Sequence, residues 1–207
     1  MKQSRNWLVL GLMAFGVAMR VLPYVLERYG LVSLTELSTY TWNVSPVPAM
    51  CLLGGAYFTS AWLGFGLGFA AFLFSDVLIG LVSGQPRFMF YSSLPFVYAG
   101  FILFGLIGLT LRGDKTPGRI IVTAFLSELA FFLLTNFGEW AVGNNQYPET
   151  FFGLLQCYAA AIPFWRNSLL GMCIYAPILF GLFALLEHRT TTGGLPEREL
   201  ELVRVRR

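Results

Sequence analysis

The sequence has few charged residues. Only 12% of its 207 residues are Asp, Glu, Lys or Arg, whereas soluble domains carry about 25%. Three stretches contain no charge at all, at 37–75, 88–111 and 167–186. Each could supply a helix that crosses a bilayer core of about 30 Å, which takes about 20 apolar residues. This pattern excludes a soluble enzyme, a nucleic-acid-binding protein and a disordered chain. It predicts an all-α integral membrane protein whose surroundings are a lipid bilayer.

Histidine and cysteine are also scarce. The single histidine, His188, lies beside the basic end of the sequence, which excludes histidine-based zinc sites and Ser-His-Asp or Cys-His catalysis within the membrane. The three cysteines do not form the pattern of a disulfide framework. The sequence also has no HExxH, GxSxG or P-loop motif, so it offers no sign of a metalloprotease, an α/β-hydrolase or an ATPase.

Apolar stretches separated by polar loops predict six transmembrane helices. Pro46 and Pro48 suit the first turn of the second helix, where the missing N–H is not needed. The apolar stretch 151–162 is too short to span a bilayer, so we expect an interfacial or re-entrant segment there. Residues 1–187 would form one substrate-binding domain, followed by a basic tail at 188–207. The six helices are expected at 7–26, 46–58, 61–82, 90–111, 120–140 and 167–186.

The distribution of basic residues predicts the orientation in the membrane. With the N-terminus inside, ten of the 14 Lys and Arg residues fall in cytoplasmic segments, whereas three, Arg28, Arg87 and Arg166, fall in outer loops. This bias predicts an N-in, C-in topology in a bacterial cytoplasmic (inner) membrane, with a basic tail that contacts anionic lipid. The long loops would then face outwards, at 27–45, 83–89 and 141–166, which indicates that the protein meets something on that side.

Polar side chains within the expected helices are candidates for function, because they are costly inside lipid. Arg20 and Asp76 both fall in the outer halves of their helices, and they either form a structural ion pair or contact a ligand. Glu128 would face a partner protein or pair with an inner basic residue. Asn136 and Glu139 lie near the outer end of the fifth helix, where Glu139 could simply be interfacial. No base or nucleophile motif accompanies these carboxylates.

Aromatic and amide residues are concentrated in the expected outer loops. An interfacial aromatic belt explains some of the aromatic residues. Aromatic rings beside amide groups also suit a flat heterocyclic ligand, which needs stacking and fixed hydrogen bonds. Together with charged residues and Cys51, these aromatic and amide residues make up the candidate binding set. Its members are Arg20, Tyr40, Trp42, Asn43, Cys51, Asp76, Arg87, Tyr91, Asn136, Trp140 and Tyr147.

Cys51 and a pair of alanines carry two further hypotheses. Most buried cysteines are small apolar fillers, but a thiolate at the floor of an outward-facing pocket could supply one axial ligand to a metal already held by a macrocycle. The cobalt of a corrinoid is such a metal, which would make Cys51 a metal ligand and a reactive group. Ala14 and Ala18 form a small-xxx-small pair, a spacing that lets another helix approach closely.

Six segments, in order along most of the chain, carry a family resemblance: 43–58, 73–80, 94–98, 135–140, 147–148 and 157–167. They resemble the S-components, the substrate-binding membrane subunits of energy-coupling-factor (ECF) vitamin transporters. The resemblance implies six helices, a vitamin bound near the outer surface by loops 1, 3 and 5, and a docking face for a transmembrane coupling subunit to which Ala14 and Ala18 correspond. Whether this chain uses such a subunit and its ATPases, or works alone, stays open.

A cysteine at position 51 resembles the solitary cobalamin-specific S-components of the BtuM subfamily. This resemblance implies uptake of cobalamin (vitamin B12) as a bound substrate, with no intrinsic cofactor. Cys51 would then be an axial cobalt ligand that also exchanges the axial group, as in decyanation. Two alternatives stay open: an S-component-like transporter for another heterocyclic micronutrient with a structural Cys51, and a membrane enzyme or assembly factor that uses Asp76, Glu128 or Glu139.

Overall fold

The structure is a computed structural model that describes residues 2–31, 44–58, 61–86, 89–143 and 146–192. Within these ranges the chain is all-helical and has no strand, as the sequence predicts. A 3₁₀ turn, Leu109–Leu111, extends the fourth helix. The six α-helices are α1 (Lys2–Arg28), α2 (Val47–Tyr57), α3 (Ala61–Ser83), α4 (Leu94–Gly108), α5 (Pro117–Ala141) and α6 (Phe151–Thr192).

Four helical segments are long and apolar enough to cross a membrane. Their outer surfaces are also apolar: on α5, for example, Ile121, Val122 and Leu126 are at least half exposed. Exposed apolar side chains in such number suit contact with lipid rather than with water. The four segments are Leu10–Arg28, Leu94–Leu111, Pro117–Ala141 and Phe151–Glu187.

The last helix differs from the prediction. The expected short segment 151–162 and the separate helix 167–186 are parts of one continuous helix of 42 residues, α6. At 1.5 Å per residue it is about 63 Å long. Pro163 lies inside it. Membrane helices tolerate proline where neighbouring groups bond to the backbone carbonyl that the proline leaves without a partner. Arg166 therefore lies within α6 and not in a loop, and α6 continues past the expected start of the tail; residues 193–207 lie outside the described part of the chain.

The short helix α2 forms the centre of the fold. Ten of its eleven residues are buried, and Pro48 lies in its first turn as expected. It packs against α3, α4 and α6, and Gly16 of α1 faces Met50 and Val47 on its remaining side. A helix that is apolar on all sides is stable only when neighbours cover every face. The neighbouring helices therefore enclose α2.

Contacts between the helices show that successive helices run in opposite directions. Arg20 of α1 pairs with Asp76 of α3, and Arg28 donates to the carbonyl of Val82 at 2.7 Å, so α1 and α3 are parallel. The thiol of Cys157 on α6 donates to the carbonyl of Asn136 on α5. Further along, Trp165 of α6 packs on Phe125 of α5, so α5 and α6 are antiparallel.

This alternation leaves the bundle with two ends. We call the end that holds the described segments 84–86, 89–93, 142–143 and 146–150 the Tyr91 end, and the end that holds segment 112–116 the Arg112 end. The N-terminus of α1 and the C-terminus of α6 belong to the Arg112 end.

Helices α2 and α4 touch backbone to backbone near the Arg112 end. A Cβ on Gly55 would overlap the carbonyl oxygen of Gly105, and a Cβ on Gly108 would overlap that of Leu52. Arg112 donates to the carbonyl of Gly55 at 3.0 Å and to that of Phe58 at 2.8 Å. These bonds satisfy carbonyl groups that the end of a helix leaves without partners. Glycine and arginine together fix the position of α2.

We predict that Gly55→Ala destabilises the protein by about 2 kcal/mol or more, because the added Cβ forces two backbones apart. The matched control is Gly11→Ala on α1, where a Cβ meets nothing within 4 Å. The stabilities of both variants are measured by heating the detergent-solubilised proteins and quantifying the folded protein that remains by size-exclusion chromatography. Equal stability of the two variants would contradict the close contact of α2 with α4.

Candidate ligand-binding site

A cavity of about 470 Å³ lies within the bundle, towards the Tyr91 end. Each of the six helices contributes at least one lining residue, and the segment 44–45 and Tyr91 contribute from outside the helices. The volume falls within the range of about 300–1,000 Å³ that is usual for small-molecule sites. Apolar and aromatic side chains form most of its wall, among them Met19, Phe72, Ile79, Val97, Phe101 and Phe131.

The two charges of the cavity wall form an ion pair. The Nη2 atom of Arg20 lies 2.5 Å from Oδ1 of Asp76, and the two side chains are 20% and 7% exposed. The guanidinium carbon of Arg20 also lies 3.9 Å from the centre of the Phe72 ring, a cation–π contact. The sequence left open a structural pair or a ligand contact; the structure places the pair on the wall of the cavity, where both roles are possible.

One polar atom on each side of this pair has no partner in the part of the chain that the structure describes. These atoms are Nε of Arg20, a donor, and Oδ2 of Asp76, an acceptor. Buried polar atoms nearly always have a hydrogen-bond partner in folded proteins. The pair therefore keeps one donor and one acceptor that no described residue uses, both of them buried.

Tyrosine hydroxyls add donors to the wall. Tyr91 and Tyr24 both line the cavity. Burial raises the pKa of Tyr91, and the nearby Asp76 carboxylate raises it further. The Tyr91 phenol therefore stays protonated at neutral pH and can donate a hydrogen bond. Tyr91 is thus one of three predicted binding residues, with Arg20 and Asp76, that the structure brings together.

The structure places other predicted binding residues away from the cavity. Asn136 donates to the carbonyl of Phe132 within its own helix at 2.8 Å. The indole of Trp140 donates to the carbonyl of Pro148 at 2.9 Å, which ties the end of α5 to the following loop. Tyr147 belongs to this loop, and neither it nor Trp140 lines the cavity. The predicted residues Tyr40, Trp42, Asn43 and Arg87 lie outside the described residues.

Cys51 lies in the core of the fold. Cys51 is 0% exposed, and its sulfur lies so close to α3 that a Cβ on Gly68 would overlap it. It is not among the residues that line the cavity, to which α2 contributes Pro48. In the described part of the chain, no three His, Cys, Asp or Glu side chains come together to hold a metal ion. The described geometry gives Cys51 the contacts of a packing residue.

Ala14 and Ala18 both lie on the exposed surface of α1. Gly16, between them, is buried against α2. The small-xxx-small pair therefore faces away from the protein, where a second helix would have access to it.

Sequence reasoning missed several cavity residues. Tyr24 follows Arg20 by four positions, and Phe72 precedes Asp76 by four, so helical spacing places each on the face of its charged neighbour. That spacing was a usable signal. Thr135 lies beside the predicted Asn136 but on a different face of α5. Ser168 carries no local signal, since only the packing of α6 brings it to the cavity.

We predict that Asp76→Leu destabilises the protein by about 3 kcal/mol or more, because it leaves the Arg20 charge buried without its partner. The double variant Arg20→Met/Asp76→Leu should recover most of this loss, since two apolar side chains replace the pair. Chemical unfolding of the purified variants measures the three stabilities. A double variant as unstable as Asp76→Leu would contradict the account of a compensating pair.

Comparisons with known proteins give a family but no characterised relative. A search of the curated proteins found no match. A search of the solved structures also found none. A protein-family model matches residues 1–196, which is nearly the whole chain. The chain belongs to that family, which is described as a family of unknown function, DUF6580.

Proposed function

We propose that the protein is a membrane-embedded uptake protein of the S-component type that binds a small heterocyclic micronutrient. The observation that carries this proposal is the cavity of about 470 Å³ with the Arg20–Asp76 pair on its wall. A charged pair inside an apolar bundle is a candidate functional site by default. All six helices line the cavity, so ligand binding there would act on the whole bundle.

The chemistry of the wall fits a particular kind of ligand. Nε of Arg20 and Oδ2 of Asp76 are buried and unused. A turn of the two side chains towards the cavity would let them pair with a ring edge that carries a carbonyl beside an N–H, as in a cyclic amide. The rings of Phe72, Phe101 and Phe131 would bury the flat faces of such a ligand. A mostly apolar pocket with a few placed polar groups is the usual design of a small-molecule site.

The proposed orientation is N-in and C-in, in a bacterial cytoplasmic membrane. Arg112, Lys115 and Arg119 lie at the Arg112 end, together with the N-terminus of α1 and the C-terminus of α6. A basic end is the cytoplasmic end in most membrane proteins. The cavity lies towards the Tyr91 end and would therefore take its ligand from outside. The exposed Ala14 and Ala18 would offer a docking face to a coupling subunit.

Of the two substrate classes that the sequence left open, the geometry favours the small heterocycle over cobalamin. Cobalamin carries a corrin ring, a nucleotide loop and several amide arms, and is far larger than the ligands of cavities of this size. The cobalt-ligand role also needs a thiol in contact with the ligand, whereas Cys51 is buried against Gly68. Cys51 is accordingly proposed as a structural residue.

We predict that a heterocyclic vitamin raises the unfolding temperature of the purified protein and that Asp76→Asn abolishes this rise. A panel of riboflavin, thiamine, pyridoxine, biotin, folate and cyanocobalamin supplies the probes, and thermal-shift measurement in detergent gives the readout. The matched control is Asp114→Asn, an exposed aspartate at the Arg112 end. A ligand that stabilises the wild type and Asp76→Asn equally would contradict the assignment of the site.

We predict that cyanocobalamin keeps the same absorbance spectrum in the presence of the wild type and of Cys51→Ser. A thiolate that bound the cobalt would change the axial ligand and therefore the spectrum. A spectral change that occurs with the wild type and is absent with Cys51→Ser would contradict this proposal. It would instead support cobalamin as the substrate and Cys51 as its axial ligand.

A further inference from the structure

A second buried acid lies in the middle of the bundle. Glu128 of α5 is 0% exposed. Neither of its carboxyl oxygens has a hydrogen-bond partner in the part of the chain that the structure describes. The hydroxyl of the neighbouring Ser127 donates to the carbonyl of Thr123 at 2.8 Å and is therefore committed elsewhere. The site described above makes no use of Glu128.

No cation compensates this carboxyl among the described residues. The ion pairs there join Arg20 to Asp76 and Arg119 to Asp114. The expected pairing of Glu128 with an inner basic residue is therefore not found. An ionised carboxylate without a partner is very costly in an apolar interior, so Glu128 holds its proton.

The other described titratable groups near α5 do not share this proton, so Glu128 is the acid that binds it. None of them makes a hydrogen bond or an ion pair with it. Arg166 is exposed on α6, and the Tyr158 hydroxyl donates to the carbonyl of Leu133. Besides Glu128, the titratable side chains that the structure describes on α5 and on the helices packed against it are Arg119 and Glu139 on α5, Cys51 and Tyr57 on α2, Tyr98 on α4, and Cys157, Tyr158, Arg166, Cys173, Tyr175 and Glu187 on α6.

Ser168 connects this acid to the cavity. It lines the cavity from α6. Its hydroxyl lies within interaction range of the Glu128 carboxyl but does not meet it in hydrogen-bond geometry, so a small turn of either side chain has to complete the contact. Glu128 itself has no exposed surface and does not line the cavity. A metal ion with its ligands needs space at the carboxylate, whereas a proton needs none.

We propose that Glu128 is a proton-binding site within the membrane and that it exchanges its proton with the cavity through Ser168. The carboxyl O–H bond breaks as Oγ of Ser168 accepts the proton, and the Ser168 hydroxyl gives its own proton to a water in the cavity. At Oγ of Ser168 one O–H bond forms and one breaks, while the carboxyl becomes a carboxylate and the water becomes hydronium. The reverse transfer restores the acid, so no further reactant is needed. A role in proton-coupled uptake rests on the proposed function, but the proton site itself does not.

Infrared difference spectroscopy tests the proton site on the full chain in vesicles of phosphatidylethanolamine and phosphatidylglycerol. At pH 7 the wild type should show the carbonyl stretch of a buried protonated carboxyl. This band should be lost in Glu128→Gln and kept in the exposed control Glu149→Gln. A pH titration of the wild type needs no variant, and the band should disappear reversibly at high pH. A wild type without this band at pH 7, or a band kept in Glu128→Gln, would overturn the assignment.

Deuterium exchange tests the route. After transfer of the vesicles to D₂O, the Glu128 band should shift as its proton is replaced. Ser168→Ala should slow this shift several-fold while the band itself remains. An unchanged exchange rate in Ser168→Ala would overturn the route through the cavity. Neither measurement uses the micronutrient, so a failure to find that ligand would leave both outcomes interpretable.

Discussion

The ion pair between Arg20 and Asp76 is the constraint around which the bundle is arranged towards its Tyr91 end. Two charges can lie in an apolar interior only when each compensates the other. Their contact joins α1 to α3 and sets the register in which those helices run parallel. The same contact places a guanidinium and a carboxylate side chain at the wall of the cavity. One interaction thus serves both the fold and the proposed recognition of a ligand.

The short helix α2 explains why a cavity exists beside that pair. Ten of its eleven residues are buried, and they fill the core near the Arg112 end, where the glycine contacts with α4 lie. The cavity begins beside its N-terminal turn, at Ser45 and Pro48. The longer helices around α2 continue past this point and leave space between them. Helix length and close backbone packing therefore determine where the cavity lies.

Much of the fold could be predicted from the sequence, because apolar length and the absence of charge carry direct physical meaning in a bilayer. The all-helical class and the start of α2 at its two prolines followed from local pattern. The continuity of α6 could not be predicted in this way, because Pro163 and Arg166 signal a loop unless neighbouring helices support them. Arg20 and Asp76 were found because buried charges are rare. Ser168 and the buried position of Cys51 depend on packing between distant segments, which no local pattern encodes.

The central claim is that the Arg20–Asp76 pair holds a small heterocyclic ligand in the cavity. Native mass spectrometry of the protein extracted from its own membranes tests this most directly, with the Arg20→Met/Asp76→Leu double variant beside the wild type. The account predicts that the wild type carries a bound small molecule and that this molecule, once released, is identified as a heterocycle. It also predicts that the folded double variant carries no such molecule. The same molecule bound at equal occupancy to both proteins would contradict the account.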